Sequence, residues 1–219
     1  MSRIARTLSL VLIGAVGALA CGLSPVRASA DSADPCAQFA NGCPPFSNPH
    51  DPPDLSGHGQ LWIIKSAWTT DLAITVNGRS VSLQPNTEQH SQIFRFVKYP
   101  SGVYMIQLYR TLAEVQLGTP RLCLKQLGSD RDGPPAVLDQ CDEEDNYQYW
   151  EVEPNPSGFF WIRRSTGALS CLDADNPMLT APSPGARLLT WGCHDFGARN
   201  QAWAFQSVSD PGLRPRPIH

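Results

Sequence analysis

A Gln-x-aromatic phrase occurs three times in this chain, as "SQIFRFV", "YQYWEV" and "RNQAWAF". Gln92, Gln148 and Gln201 stand at intervals of roughly fifty residues, the signature of an internal repeat. Aligning on them stacks "LAIT" (72–75), "LCLK" (122–125) and "SCLD" (170–173), with Ala73, Cys123 and Cys171 in one column. A second column, seven or eight residues before each Gln, holds Pro85, Cys141 and Cys193. Repeats two and three carry both cysteines and repeat one carries neither. Two residues absent together from one copy are predicted to be bonded in the others, giving Cys123–Cys141 and Cys171–Cys193. Each bridge contributes about 3 kcal/mol on the loop-entropy model.

Within the repeats, short runs of Val, Ile, Leu, Phe, Tyr and Trp alternate with turn residues: "LWIIKSAW", "LAITVNG", "IFRFV", "VYMIQLYR", "QYWEVE", "FFWIRR", "LLTW" and "AWAFQSV". "NGR", "PSGV", "PNPSG" and "STG" separate them, and no amphipathic helical stretch competes. This is an all-β pattern, a barrel or sandwich with roughly four strands per repeat. Strand alternation puts Phe94, Trp150 and Trp203 on a buried face, each with the residue two later: Phe96, Val152 and Phe205.

The ends read differently. "MSRIARTLSLVLIGAVGALACGLSPVRASA" has two Arg, an apolar run and a small-x-small Ala28-Ser29-Ala30, so residues 1–30 read as a secretory signal peptide. A membrane anchor is the alternative, for which the run is short. Lipoprotein anchoring at Cys21 is a minor option. No transmembrane span is expected once the leader is removed. Of seven Cys, removal of Cys21 leaves an even set, including Cys36 and Cys43, which fits disulfides in an exported chain. Residues 31–58 form a Pro-rich linker or arm in which Cys36 and Cys43 can close a loop, and residues 209–219 form a flexible tail. Between them, residues 59–208 divide into repeats of about 60–100, 101–156 and 157–208.

The combined pattern "SCLDAD…LLTWGC…ARNQAWAF" resembles a repeat of the ricin-B-type lectins, the β-trefoils with Gln-x-Trp motifs. The resemblance spans roughly residues 60–208, is strong in repeat three, fair in repeat two and weak in repeat one. It implies a pseudo-threefold β-trefoil, which here follows the signal peptide and arm read above. It also implies that a repeat can clasp galactose: an Asp accepts hydrogen bonds from hydroxyls, an aromatic stacks on the C–H face and an Asn completes the clasp. Repeat three holds the whole set in Asp173, Trp191, Asn200 and Gln201, although Leu189 stands where a Gln is common. Repeat two has Lys125, Asp139 and Tyr147 in the columns of Asp173, Trp191 and Asn200, and repeat one has Thr75, Leu83 and Ser91. One sugar site at most is expected. Each member also has a plainer alternative: Asp173 as a turn cap, Trp191 as core, Asn200 as a turn brace, and Gln148 and Gln201 as backbone partners.

A narrower likeness, carried by "FRFV", one degenerate repeat and the Pro-rich arm, is to the binding subunits of cytolethal distending toxins. Three functions follow as expectations. The first is a secreted lectin for galactose-type glycans or glycoproteins. The second is the receptor-binding subunit of a toxin whose separate subunit is catalytic. The third is an interaction scaffold with a decayed sugar site. A formal net charge of -3 provides no field for nucleic acid. The absence of CxxC pairs and the five scattered His argue against a metal site, and no cofactor is expected. The acidic "DEEDN" (142–146) offers the paired carboxylates of a glycosidase but reads as a solvated face. No nucleophile frame is evident, so the chain is not expected to be an enzyme.

Overall fold

The computed structural model describes residues 55–57, 60–110, 112–128, 133–155, 158–167, 169–176, 180–194 and 198–208. Residues 1–30, read above as a signal peptide, together with Cys36, Cys43, most of the expected arm and the expected tail, lie outside the described residues. Among the described residues twelve strands fall into three sets of four. Repeat one supplies β1 (Leu61–Ser66), β2 (Leu72–Asn77), β3 (Ser80–Pro85) and β4 (Ile93–Lys98). Repeat two supplies β5 (Tyr104–Leu108), β6 (Leu122–Gln126), β7 (Ala136–Gln140) and β8 (Tyr149–Pro154), with a short helix α1 (Leu112–Gln116) between β5 and β6. Repeat three supplies β9 (Phe160–Arg164), β10 (Ser170–Ala174), β11 (Leu188–Gly192) and β12 (Trp203–Val208).

The first and last strands of each repeat close a barrel. β1 pairs with β4, β4 with β5, β5 with β8, β8 with β9, β9 with β12, and β12 with β1, all antiparallel. The ring leaves no free edge among these strands. The middle strands form the hairpins β2–β3, β6–β7 and β10–β11. They meet as a triangular cap through Ser80↔Val137, Ser82↔Arg187 and Pro135↔Leu189. Asn77 pairs with Ser80 across a two-residue turn. Gly78 opens that turn at φ +62°, a conformation that disfavours any side chain. Not every strand was evident as an apolar run: β3, "SVSLQP", offers only Val81 and Leu83 to the core.

The core is built from the threefold pattern. Phe94, Trp150 and Trp203 are all but fully buried, as are Phe96, Val152 and Phe205 two residues on. Phe205 is a hub, with ring centroids 6.3 Å from Trp62, 5.5 Å from Phe96 and 5.5 Å from Phe160. The two tryptophans also satisfy their polar edge. Trp150 Nε1 donates to Leu124 O at 2.9 Å and Trp203 Nε1 to Leu172 O at 3.0 Å. Leu124 and Leu172 each follow the first cysteine of their repeat, so the pillar ties barrel strand to hairpin. Phe94 fills the same position without a donor. Leu55, at the end of the arm, is fully buried, and its carbonyl accepts from Trp62 Nε1 at 3.1 Å.

Both inferred bridges are present: Cys123–Cys141 with Cα atoms 4.9 Å apart and Cys171–Cys193 at 5.0 Å. The register corrects one column of the sequence alignment. Cys123 faces Asp139, Cys171 faces Trp191 and Ala73 faces Gln84. The counterpart of Cys141 and Cys193 in repeat one is therefore Asn86, not Pro85, and the counterpart of Trp191 is Gln84, not Leu83.

Phe94 demonstrates that a phenyl ring fits the pillar position. Trp203→Phe should therefore cost about 1–2 kcal/mol, chiefly the lost hydrogen bond to Leu172 and a small void. Trp203→Ala should cost about 3–5 kcal/mol. Urea unfolding of both variants with disulfides intact checks this, and equal losses would contradict the pillar argument.

Candidate functional site

A 3-10 turn precedes the last strand of each repeat: His90–Gln92, Asn146–Gln148 and Arg199–Gln201. Each turn ends in the repeated Gln, and all three Gln are buried. Their side chains make one bond pattern. Gln92 Nε2 donates to Pro85 O at 2.8 Å, and its Oε1 accepts from Thr87 N at 2.8 Å. Gln148 Nε2 donates to Gln140 O at 2.8 Å and its Oε1 accepts from Asp142 N at 3.1 Å. Gln201 Nε2 donates to Gly192 O at 3.0 Å and its Oε1 accepts from His194 N at 3.0 Å. The amide thus replaces a pair of backbone ladder bonds at the end of each third strand.

The second N–H of each amide distinguishes the repeats. In repeat three it goes to Asp173 Oδ2 at 2.8 Å. Asn200, one residue earlier in the turn, donates to Asp173 Oδ1 at 2.8 Å and to Asn176 O at 3.2 Å. One amide thus holds each carboxylate oxygen, and each oxygen keeps lone-pair capacity for another donor. Asp173 is buried, with 4% of its surface exposed, and Asn200 and Gln201 are buried beside it. Burial is the largest influence on the Asp173 carboxyl. The Gln201 and Asn200 bonds favour the anion and nearby Asp175 opposes it, leaving the group pushed up to about 7. Among the described residues Asn200 Oδ1 is buried without a hydrogen-bond partner, an unmet acceptor beside the carboxylate.

Trp191 lies on the adjoining strand. Asp173 pairs with Leu189 and Cys171 with Trp191, so Asp173 and Trp191 are diagonal neighbours on one hairpin face, with backbones about 7–8 Å apart in such pairs. The Trp191 residue is 41% exposed. Its ring is backed by Gly133, whose amide donates to Thr190 O at 2.8 Å. A Cβ at Gly133 would lie 3.1 Å from Trp191 Cζ3, and φ there is +93°, so a side chain would displace the ring. Trp191 is thus a supported, half-exposed aromatic and not core.

Repeat two fills the same place with ions. Lys125, in the Asp173 column, reaches Asp145 at 2.7 Å and Asp139 at 3.3 Å, and Asp139 also pairs with Arg79 at 2.8 Å. The Asp145 hydrogen bond leads the effects that raise the Lys125 pKa. Burial acts first on Asp145, upward, but the Lys125 bond and the Tyr147 amide outweigh it and hold the carboxyl below the usual range. Asp145 belongs to the acidic run "DEEDN", and it also accepts from Tyr147 N at 2.9 Å as the cap of the 3-10 turn. In repeat one, Thr75 Oγ1 accepts from Gln92 Nε2 at 2.8 Å and donates to Ala73 O at 3.1 Å.

The structure therefore brings Asp173, Asn200 and Gln201 into one bonded cluster with Trp191 beside it. Sequence reasoning missed two contributors, the Asn176 carbonyl and Gly133. The sequence signalled the first only through the reading of Asp173 as a turn cap, and nothing local signalled the second. Among the described residues no cluster of three metal-ligating side chains occurs, and no helix is long and apolar enough to cross a membrane.

The closed barrel with its triangular cap of hairpins is a β-trefoil, and solved structures agree. A designed threefold-symmetric protein, ThreeFoil, is 18% identical with a TM-score of 0.53, covering 66% of this chain and 96% of its own. A ricin B-like lectin of Macrolepiota procera, solved with lactose, is 16% identical with a TM-score of 0.51, covering 67% of this chain and 94% of its own. A mosquitocidal holotoxin is 16% identical with a TM-score of 0.54, covering 72% of this chain but 17% of its own. Residues 111–212 match the family model of the ricin-type beta-trefoil lectin domain. No curated protein sequence matches the chain.

The raised Asp173 carboxyl makes stability depend on pH. The folded state holds this proton up to about 7, whereas an unfolded Asp releases it near about 3.9. Between those values the folded state binds more protons, so the contribution of Asp173 declines as pH rises from about 4 to about 7 and is then constant. Asp139 and Asp145, held low, act in the opposite sense in more acid solution. The difference in urea-unfolding free energy between wild type and Asp173→Asn, followed from pH 4.5 to 8, should isolate the trend. A pH-independent difference would contradict it.

Proposed function

We propose that this protein is a secreted, non-enzymatic lectin that recognises galactose-type glycans through one site in its third repeat. The observation that carries the reading is the Asp173 carboxylate, bonded on one oxygen by Asn200 and on the other by Gln201, with the half-exposed Trp191 on the adjoining strand. A pyranose matches such a pair of surfaces. Its hydroxyl edge can donate to Asp173 and to Asn200 Oδ1, and its C–H face can lie against the indole. The ricin-type lectin match over residues 111–212 supports the same role. Buried amides fix the carboxylate before a ligand arrives, which lowers the ordering cost of binding.

Glycan-array binding of wild type, Asp173→Ala and Trp191→Ala is the test. Galactose-terminated glycans should bind wild type; Asp173→Ala should lose at least about tenfold in affinity, a hydrogen bond to a charged group being worth about 1.5 kcal/mol or more, and Trp191→Ala roughly two- to tenfold, a stacking face being worth about 0.5–1.5 kcal/mol. Melting curves check that the variants fold. Failure of folded wild type to bind any glycan would leave the scaffold reading instead. Hydroxyls that donate to a carboxylate favour its ionised form, so affinity should increase as pH rises through about 7, and Asp173→Asn should abolish that dependence.

A second reading, the receptor-binding subunit of a multi-component toxin, is favoured by the ion pairs that fill repeat two. One shallow site gives weak attachment, and linkage to a partner or to further copies supplies avidity. Co-purification of the full chain with a separate secreted catalytic chain would support it.

A further inference from the structure

A second polar cleft lies where repeat one joins repeat two, away from the residues of the repeat-three clasp. Arg95 of β4, Gln107 of β5, Tyr109 and Arg110 just beyond β5, Val115 of α1 and Arg121 before β6 line it, with Leu108 beneath. Three arginines thus line one depression in a chain of net charge -3. Among the described residues Arg95 and Arg121 form no ion pair, while Arg110 has one, to Glu114 at 3.3 Å. Arg110 Nε is buried there without a hydrogen-bond partner. Three adjacent cations with one acid repel each other, and an unmet buried N–H adds to the cost. An anion in the cleft would offset the repulsion.

The pseudo-threefold symmetry provides an internal control. At the junction of repeats two and three, Glu151 of β8 faces Arg163 of β9. Arg163 there takes both Glu151 and Glu153 at 2.6 Å. At the junction of repeats one and two, the equivalent pair is Arg95 facing Gln107, and Val97 occupies the column of Glu153. The acids that neutralise one junction are absent from the other, which instead gathers basic groups.

We infer that this cleft binds the acidic group of a glycan, a sulfate or a carboxylate carried on a sugar. Arg forks match planar and tetrahedral oxyanions through paired hydrogen bonds. The cleft has a volume of about 40 Å³, room for roughly three waters, which suits an acidic group and leaves a sugar ring at the mouth. Val115, 44% exposed there, offers an apolar surface to such a ring, which a free inorganic ion would not use. That the anion is carried on a sugar rests on the lectin reading; the arginine site itself does not depend on Asp173.

The test is calorimetry on the full chain with four probes: a sulfated heparin-derived tetrasaccharide, an unsulfated hyaluronan tetrasaccharide carrying carboxylates, inorganic sulfate, and neutral lactose. At least one acidic tetrasaccharide should bind, which also identifies the acidic group. Affinity for it should fall at least about tenfold in Arg95→Gln/Arg121→Gln, be partly restored in Arg95→Lys/Arg121→Lys, and be unchanged in Asp173→Ala. The Arg110 Nε–H resonance should shift on binding in wild type, a readout that needs no variant. Equal binding by the glutamine variant, no shift at Arg110, or inorganic sulfate competing at the same concentration as the oligosaccharide would each overturn the proposal. The lactose arm reports separately on the Asp173 site, so failure of one reading is distinguishable from failure of the other.

Discussion

The interaction on which the rest depends is the buried glutamine clamp. A barrel strand must leave each hairpin and turn sharply through a 3-10 turn, and the chain between them has backbone groups without ladder partners. One Gln side chain supplies a donor and an acceptor at the spacing of a peptide group and satisfies both. Gln92, Gln148 and Gln201 do this identically, which is why the phrase recurs although the residues around it differ. The aromatic two residues later then enters the core from a fixed position.

The clamp leaves one N–H over, and that hydrogen decides what stands opposite. A buried donor needs an acceptor. Thr75 provides it in repeat one and Asp173 in repeat three. In repeat two the column holds Lys125, which cannot accept. There the spare N–H has only Asp145 Oδ2 at 3.5 Å, and Asp145 in turn anchors Lys125. The carboxylate of repeat three is therefore built as a structural partner first. Asn200 holds its other oxygen, and Trp191 stands clear on the neighbouring strand.

Much of this was legible in the sequence because it rests on periodicity. The repeat, the aromatic pillars and both disulfides follow from columns of residues, while the grouping of Asp173, Asn200 and Gln201 was implied by the resemblance to the ricin-B-type lectins. The misplaced column has a physical cause. The carbonyl clamped by the Gln lies 7, 8 and 9 residues upstream in repeats one, two and three, so the loop lengthens from copy to copy. Alignment on the Gln cannot register such a drift, whereas strand pairing does. Burial of Asp173 was equally hidden, since it depends on the turn that packs over β10. Arg95, Arg110 and Arg121 carry no local signal of proximity, because barrel closure alone brings them to one cleft.

Threefold repetition separates the duties of stability and recognition. Fold-bearing positions are kept alike: clamps, pillars and hairpin registers superpose in chemistry across the copies. Positions between them are chemically free, and the copies diverge there. Repeat two closes its pocket with Lys125, Asp139, Asp145 and Arg79, so its charges are spent within the fold. Repeat three keeps a carboxylate with bonded oxygens and an exposed ring. Two of the three barrel junctions diverge in the same way, Arg163 being neutralised by Glu151 and Glu153 while Arg95 faces an amide. A polar group satisfied internally has little left to give a ligand. At the repeat-three clasp the buried acceptor without a partner is Asn200 Oδ1, and at the junction of repeats one and two the buried donor without one is Arg110 Nε.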